Sequence, residues 1–433
     1  MPVTIKSSFA KMPTAETPGL VAVKIVASDP VSRSVHIGLL TDSSGSMEGD
    51  RITSVKRTIS VLLDHLNVGD KITLIGFSNK ATTIFKDLAI LADSSQKAAM
   101  NESIDKLTAG GGTNMECGIV ELGSALQGSS PLNALVLLTD GHINEGISSC
   151  AGLHSLIKSY LKSVPVFTLG YGTDHNADLL KTLSQRTQAN YTFIQDEISL
   201  PVSIGDMLGA LQTEVASESS IGFDNRWSCA EPLAEPASCS FDFGSLIADK
   251  PVWAVFNVPN TLDTSAMTLK YKENGVDYNV SFQPADGQCE ILEIVEQELR
   301  CLTGVTLNKV TEALKVNKLA DAKKLLVDAL SLIASSAASN RGLVILMKAQ
   351  LDETLENVDK ILNAPRSPVP LDLLYRTTSL GGNYSAQRGV TQMADATSPG
   401  VFSSPAQIQQ SQHMTVQYSQ GAGSACPQDP VAV

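Results

Sequence analysis

LLTDSSGSMEGDR, residues Leu39–Arg51, sets one aspartate and three serines into five positions, Asp42 to Ser46, directly behind an apolar run. An apolar run that ends in small oxygen-bearing side chains reads as a buried strand opening into a polar loop. The bland meaning is a turn. The sharper meaning is part of a metal site, with the remaining ligands further along the chain.

The surroundings decide the fold. From Val35 to Val215 short apolar runs alternate with amphipathic segments, the pattern of βαβ units around a mostly parallel, doubly wound sheet, an α/β fold class. Strands are expected at 35–41, 71–77, 81–87, 133–139, 165–170 and 190–195. Asn79-Lys80 sits between the second and third as a tight hairpin, which makes one edge strand antiparallel. Ile52, Val55, Ile59, Leu62, Leu63 and Leu66 recur at steps of three and four and form one helical stripe. Asp93 or Ser94 can cap a second helix, and more are expected near 115–127, 148–163, 175–187 and 201–216.

Outside this unit the composition changes. Residues 217–287 hold both tryptophans and short alternating runs, and read as a small antiparallel β domain. The N-terminal segment 1–33 carries LVAVKIVAS (20–28), expected to supply that domain with a strand, so that the α/β domain at 34–216 is inserted into it. Residues 288–364 have helical spacing, with breaks near Asn317 and Asn340, which predicts three or four antiparallel helices. A Ser/Gln/Gly-rich tail follows at 365–433.

Composition narrows the function. The chain has 433 residues, 43% of them apolar and 18% charged, as in soluble globular proteins of several domains. A net charge of −13 with no basic run argues against nucleic acid as a partner. No apolar stretch is long enough for a membrane span, and the first residues lack a signal-peptide core, so an intracellular, cytoplasmic protein is expected. Seven scattered cysteines without a C-x-x-C pair favour reduced thiols over a zinc ribbon.

In a doubly wound sheet, ligands bind outside the carboxyl ends of the strands. Asp42, Ser44 and Ser46 follow the first strand; TAGGGTNM places Thr113 at a helix entrance; VLLTDG places Asp140 at the end of the fourth strand. Two carboxylates and three hydroxyls, with no His or Cys, form an all-oxygen set suited to a hard cation, Mg²⁺ or Mn²⁺. Each piece alone also fits a polar turn, a flexible connector or an anion-binding helix start.

DSSGSM, GGGT and LLTDG in this order resemble the metal-ion-dependent adhesion site of a von Willebrand factor A-type domain, over about 34–216. The resemblance implies a first ligand loop at Asp42, Ser44 and Ser46, a second at Thr113 and a third at Asp140, some ligating through water. It also implies a non-enzymatic module that binds an Asp or Glu of a protein partner through the cation. The segment VFTLGYGTDHNADLLKTLSQRTQANYTFIQD, and more loosely LGGNYSAQRGV, is similar to the inter-alpha-inhibitor-like and plant RING-linked group. No RING pattern is present, so ligase activity is not carried over.

Two other readings stay open. One is an assembly subunit, oligomeric or not, in which the metal only stabilises; the other is a substrate-recognition adaptor in a ubiquitination pathway. A hydrolase is disfavoured, because Ser44 and Ser46 lie outside any G-x-S-x-G and the histidines follow no ligand spacing. Phosphoryl transfer lacks a P-loop lysine after GGGT. Met47 is expected beneath the first loop, with Glu48 and His142 at the rim.

Overall fold

The alternation read along the chain becomes three sheets and two sets of helices in a computed structural model. It describes residues 3–377 except 12–18, 29–33, 163, 173–174, 188, 190, 195–198, 232–237, 260–265, 274, 285–287, 365–368, 371–372 and 375–376. LGGNYSAQRGV and the Gln-rich stretch beyond it lie outside the described residues, as does Cys426.

The chain starts with an antiparallel pair, β1 (Val3–Lys11) and β2 (Gly19–Ala27). It then runs through β3 (His36–Asp42), α1 (Asp50–His65), β4 (Lys71–Phe77), β5 (Ala81–Ala89), α2 (Ser94–Asp105), α3 (Met115–Ala125) and β6 (Ala134–Thr139). Next come α4 (Cys150–Leu161), β7 (Val166–Tyr171), α5 (Ala177–Arg186), β8 (Tyr191–Ile194) and α6 (Ser199–Gln212).

The strands β3 to β8 form one sheet of order β5-β4-β3-β6-β7-β8, parallel except for edge strand β5. Every residue of β3 and of β6 is buried. Helices cover both faces, so a strand there can be apolar at consecutive positions. Side chains alternate between faces: Ile37 and Leu39 join one core with Val55, Ile59 and Leu62 of α1, whereas Leu40 joins another with Ile119 and Leu122 of α3. β3 pairs with β4 on one side and β6 on the other, so chain order reverses beside it, which is where such sheets open a crevice.

After α6 the chain returns to antiparallel pairing: β9 (Glu214–Gly222), β10 (Ser228–Cys229), β11 (Ser240–Ile247), β12 (Val252–Val258), β13 (Met267–Glu273) and β14 (Val276–Phe282). Two four-stranded sheets result, β1-β2-β12-β10 and β11-β9-β13-β14. They enclose Val23, Ile25, Ile221, Phe241, Phe256 and Leu269 in a common core. The N-terminal segment thus gives this sandwich two strands rather than one, and the α/β unit is inserted between β2 and β9. The helix expected to run to 216 ends at Gln212, because EVASESSIG at once takes up the pairing of β9.

Three helices complete the described residues: α7 (Ile291–Lys315), α8 (Leu319–Ser335) and α9 (Gly342–Leu362). Asn317 makes the first break with φ 55°, a left-handed conformation that asparagine tolerates. Helix α7 is docked on the sandwich by Ile294 and Cys289 against Ala22 and Trp253. It is also held by a fully buried ion pair, Arg300 Nη2 to Glu231 Oε1 at 2.6 Å. Lys315 reaches Asp178 of α5 at 2.6 Å, so the helices touch the α/β unit as well. The six described cysteines are free thiols. No helix among the described residues is long and apolar enough to cross a membrane.

Candidate metal centre

Asp42 is the last residue of β3 and is fully buried. Its Oδ1 accepts from the Ser44 backbone N–H (2.8 Å), which turns the loop back over the strand end. Its Oδ2 accepts from the Thr139 hydroxyl (2.6 Å) on the neighbouring strand β6. Burial pushes the Asp42 carboxyl up from its ordinary value, the Thr139 and Ser44 hydrogen bonds oppose that, and the nearby Asp140 charge adds to it. The hydroxyls of Ser44 and Ser46 face each other at 3.1 Å. Ser44 is buried and Ser46 exposed, so the first loop presents oxygens from the protein interior out to its surface.

Asp140 follows β6 and is also fully buried. Its Oδ1 accepts from the His142 backbone N–H (3.1 Å), whereas Oδ2 has no hydrogen-bond partner. The nearest cation is Arg51, in the first turn of α1, whose Nη1 lies 3.6 Å from Asp140 Oδ2 and donates to the Ser46 carbonyl at 3.1 Å. A positive side chain at a helix N-terminus opposes the helix dipole, so this placement is not a helix-stabilising one.

Backbone bonds tie the three loops together. Gly45 N–H donates to the Gly111 carbonyl (3.0 Å) and Gly110 N–H to the Ser43 carbonyl (2.8 Å), joining the first loop to the second. The Thr113 carbonyl accepts from Asn144 and Glu145 (both 3.2 Å), and Thr113 N–H donates to Asn144 Oδ1 (2.8 Å), joining the second to the third. Asn79 Oδ1 accepts from Gly112 N–H at 2.7 Å. Gly111 has φ +83°, and a Cβ there would lie 2.1 Å from Asn79 Oδ1, so that position admits only glycine.

All five sequence-derived residues therefore sit on interconnected loops at one edge of the sheet. Met47 is buried beneath the first loop, with Glu48 and His142 exposed at the rim. Sequence reasoning missed Thr139, Asn144, Asn79 and Arg51. Only Thr139 carried a signal, as the threonine before Asp140 at the end of a buried strand.

A buried carboxylate oxygen without a hydrogen bond is costly, and two buried carboxylates at one edge repel each other. A divalent cation would answer both defects, so the donor set fits such an ion. Among the described residues no group of three or more His, Cys, Asp or Glu side chains is placed to hold a metal, so the donors here are hydroxyls and two carboxylates. That mixture suits Mg²⁺ or Mn²⁺.

Residues 36–205 match the von Willebrand factor type A domain family. An uncharacterized protein of Synechocystis is 28% identical over 191 residues, 43% of this chain and 44% of that protein. Inter-alpha-trypsin inhibitor heavy chain H1 of Mesocricetus auratus is 26% identical over 160 residues, 35% of this chain and 17% of the inhibitor chain. A von Willebrand factor A domain-containing protein of Dictyostelium discoideum is 24% identical over 277 residues, 59% of this chain and 30% of that protein. The chain thus spans less than half the length of these relatives. Among solved structures, the von Willebrand factor type A protein from Catenulispora acidiphila aligns with TM-score 0.62 at 15% identity, over 83% of this chain and 89% of that one. The ArnB paralog VWA2 from Sulfolobus acidocaldarius gives TM-score 0.55 at 18% identity, over 88% and 98%. These likenesses establish the fold: the chain contains a von Willebrand factor type A domain, and domains of this kind generally mediate protein interactions.

Proposed function

We propose that the α/β domain captures an acidic side chain of a protein partner through a divalent cation, Mg²⁺ or Mn²⁺, at a metal-ion-dependent adhesion site. Asp42, Ser44, Ser46, Thr113 and Asp140 would hold the ion, directly or through water. The observation that carries the reading is Asp140: a fully buried carboxylate with one oxygen lacking any hydrogen bond, beside a second buried carboxylate, at the edge where the three loops meet. A bound cation would supply an electrophilic position open to one external carboxylate oxygen.

The chain's own residues do the positioning. Thr139 and the Ser44 N–H fix the rotation of the Asp42 carboxylate, and the Gly45–Gly111 and Thr113–Asn144 bonds hold the loops in register. Binding through a cation is the proposed role, because the described residues at this edge offer hydroxyl and carboxylate oxygens around the Asp140 oxygen that lacks a hydrogen bond.

Pull-down from a native extract with EDTA, followed by Mg²⁺ add-back, tests the reading. Partner capture should be lost with EDTA, return with Mg²⁺, and fail in Asp140→Ala. Capture that ignores EDTA and survives Asp140→Ala would overturn it.

A further inference from the structure

At the opposite edge of the sheet, a cleft of about 440 Å³ lies between the α/β unit and the sandwich. Asn133 and Pro165, which precede β6 and β7, line it, so it is separated from the Asp140 loop by the length of a strand, about 20 Å. Lys158 and Lys162 at the end of α4 and Arg186 at the end of α5 converge there, with His154 among them. Among the described residues, none of the three cations makes an ion pair. Two carboxylates also line the cleft: Glu218 is paired with Lys272 at 3.0 Å, and Glu214 accepts from the Ser245 hydroxyl and keeps its charge. In a chain of net charge −13, three cations against two carboxylates around one concavity leave it locally positive.

Two further observations bear on it. Lys162 has φ 62° and ψ −144°, a region that disfavours any residue with a Cβ. Such backbone strain collects where a side chain is held for binding. Burial lowers the His154 pKa, and the facing Arg186 and Lys158 charges lower it further, so the imidazole reports the positive field of the cleft.

We infer that this cleft is a binding site for a small-molecule phosphate monoester. The guanidinium of Arg186 can take a phosphate through paired N–H donors while the two lysines act as point charges. Leu132 and Pro165, both half-buried, give the cleft an apolar wall that a bare phosphate would leave uncovered, and the volume is that of a site for a nucleotide-sized molecule. The occupant is therefore an organic phosphate rather than the inorganic ion. The site does not depend on the loops proposed to hold the cation.

Calorimetry and NMR of the full chain with AMP as probe test this, with inorganic phosphate, phosphoinositide-containing vesicles and a polyglutamate peptide as comparisons. AMP should bind saturably, more tightly than inorganic phosphate, and should raise the His154 pKa, because a bound dianion favours the imidazolium. EDTA should leave this binding unchanged. Lys162→Ala with Arg186→Ala should weaken AMP at least tenfold, whereas Lys106→Ala on another face should not. Lys162→Gly should raise the melting temperature and weaken AMP together, which separates a binding role from a folding one. The inference falls if AMP shows no saturable binding, if the double variant binds it as the parent does, or if only the vesicles or the polyglutamate peptide bind.

Discussion

Replacing Arg51 by glutamine should tighten Mg²⁺ binding while destabilising the metal-free protein. The guanidinium stands 3.6 Å from the orphan oxygen of Asp140, so it neutralises the same carboxylate that an entering cation would use. At that separation the pair is worth about 4.6 kcal/mol at an effective dielectric of 20 and about 1.2 kcal/mol in bulk water. The Arg51 side chain is 31% exposed and Asp140 is fully buried, so screening places the net effect toward the lower figure. Removing the competitor should therefore lower the Mg²⁺ dissociation constant by about tenfold, equivalent to about 1.4 kcal/mol. Calorimetric titration of the parent, Arg51→Gln and Arg51→Lys would measure it, with Lys retaining most of the competition. The gain should shrink as ionic strength rises, because part of the effect is long-range. An unchanged or weaker affinity in Arg51→Gln, in a folded variant, would refute the competition.

Mg²⁺ at a hundred times its dissociation constant should stabilise the protein by about 2.7 kcal/mol in denaturant unfolding, and Asp140→Ala should abolish that increment. Gly111→Ala should weaken Mg²⁺ binding at least tenfold, since its Cβ displaces Asn79 Oδ1 from the second loop; affinity equal to the parent's would contradict the loop geometry. Glu231→Gln should cost about 3–5 kcal/mol by leaving the fully buried Arg300 uncompensated, whereas Glu231→Leu with Arg300→Met should cost much less. His36 has a pKa lowered chiefly by burial, against the opposing Ser130 carbonyl and Asp87. Its contribution is complete above the ordinary histidine value of about 6.5 and is lost as pH falls from there toward the depressed value. NMR titration of His36 and stability between pH 7 and 5 would check it.

The central sheet was legible because burial on both faces writes itself into consecutive positions: HIGLLTD and ALVLLT leave no polar face to confuse the period. The loops of the candidate site were legible because three of its five residues lie within five positions and the others directly follow glycines or a strand. What escaped has physical reasons. β1, VTIKSSFAK, is an edge strand with polar residues on both faces and little apolar signal. Asn79 and Asn144 act through loop-to-loop bonds spanning 33 and 31 residues, which no local pattern announces. Arg51 reads as an ordinary solvated charge in a first helical turn until the fold brings Asp140 to it. Arg300 and Glu231 are 69 residues apart and look like surface charges, yet both are fully buried.

The charge around the proposed site also bears on why its partner should be acidic. Each oxygen of Asp42 already accepts a hydrogen bond, so that carboxylate is positioned by the protein before any ion arrives. Of the two carboxylates, only Asp140 offers an oxygen with no hydrogen bond, and that oxygen faces the Arg51 guanidinium at 3.6 Å. The remaining donors are hydroxyls, which ligate without neutralising. Two carboxylates, the Arg51 guanidinium and a divalent cation leave one net positive charge at an edge whose two carboxylates are fully buried. A single partner carboxylate cancels it, whereas a neutral side chain would leave a charge partly stripped of water. On this reasoning Arg51 works in opposite directions on the two ligands: it weakens the cation by competing for Asp140 and strengthens the acidic partner by adding to the field. Arg51→Gln should then bind Mg²⁺ more tightly yet hold the partner less well at saturating Mg²⁺. A variant improved in both would mean that Arg51 serves only to occupy Asp140.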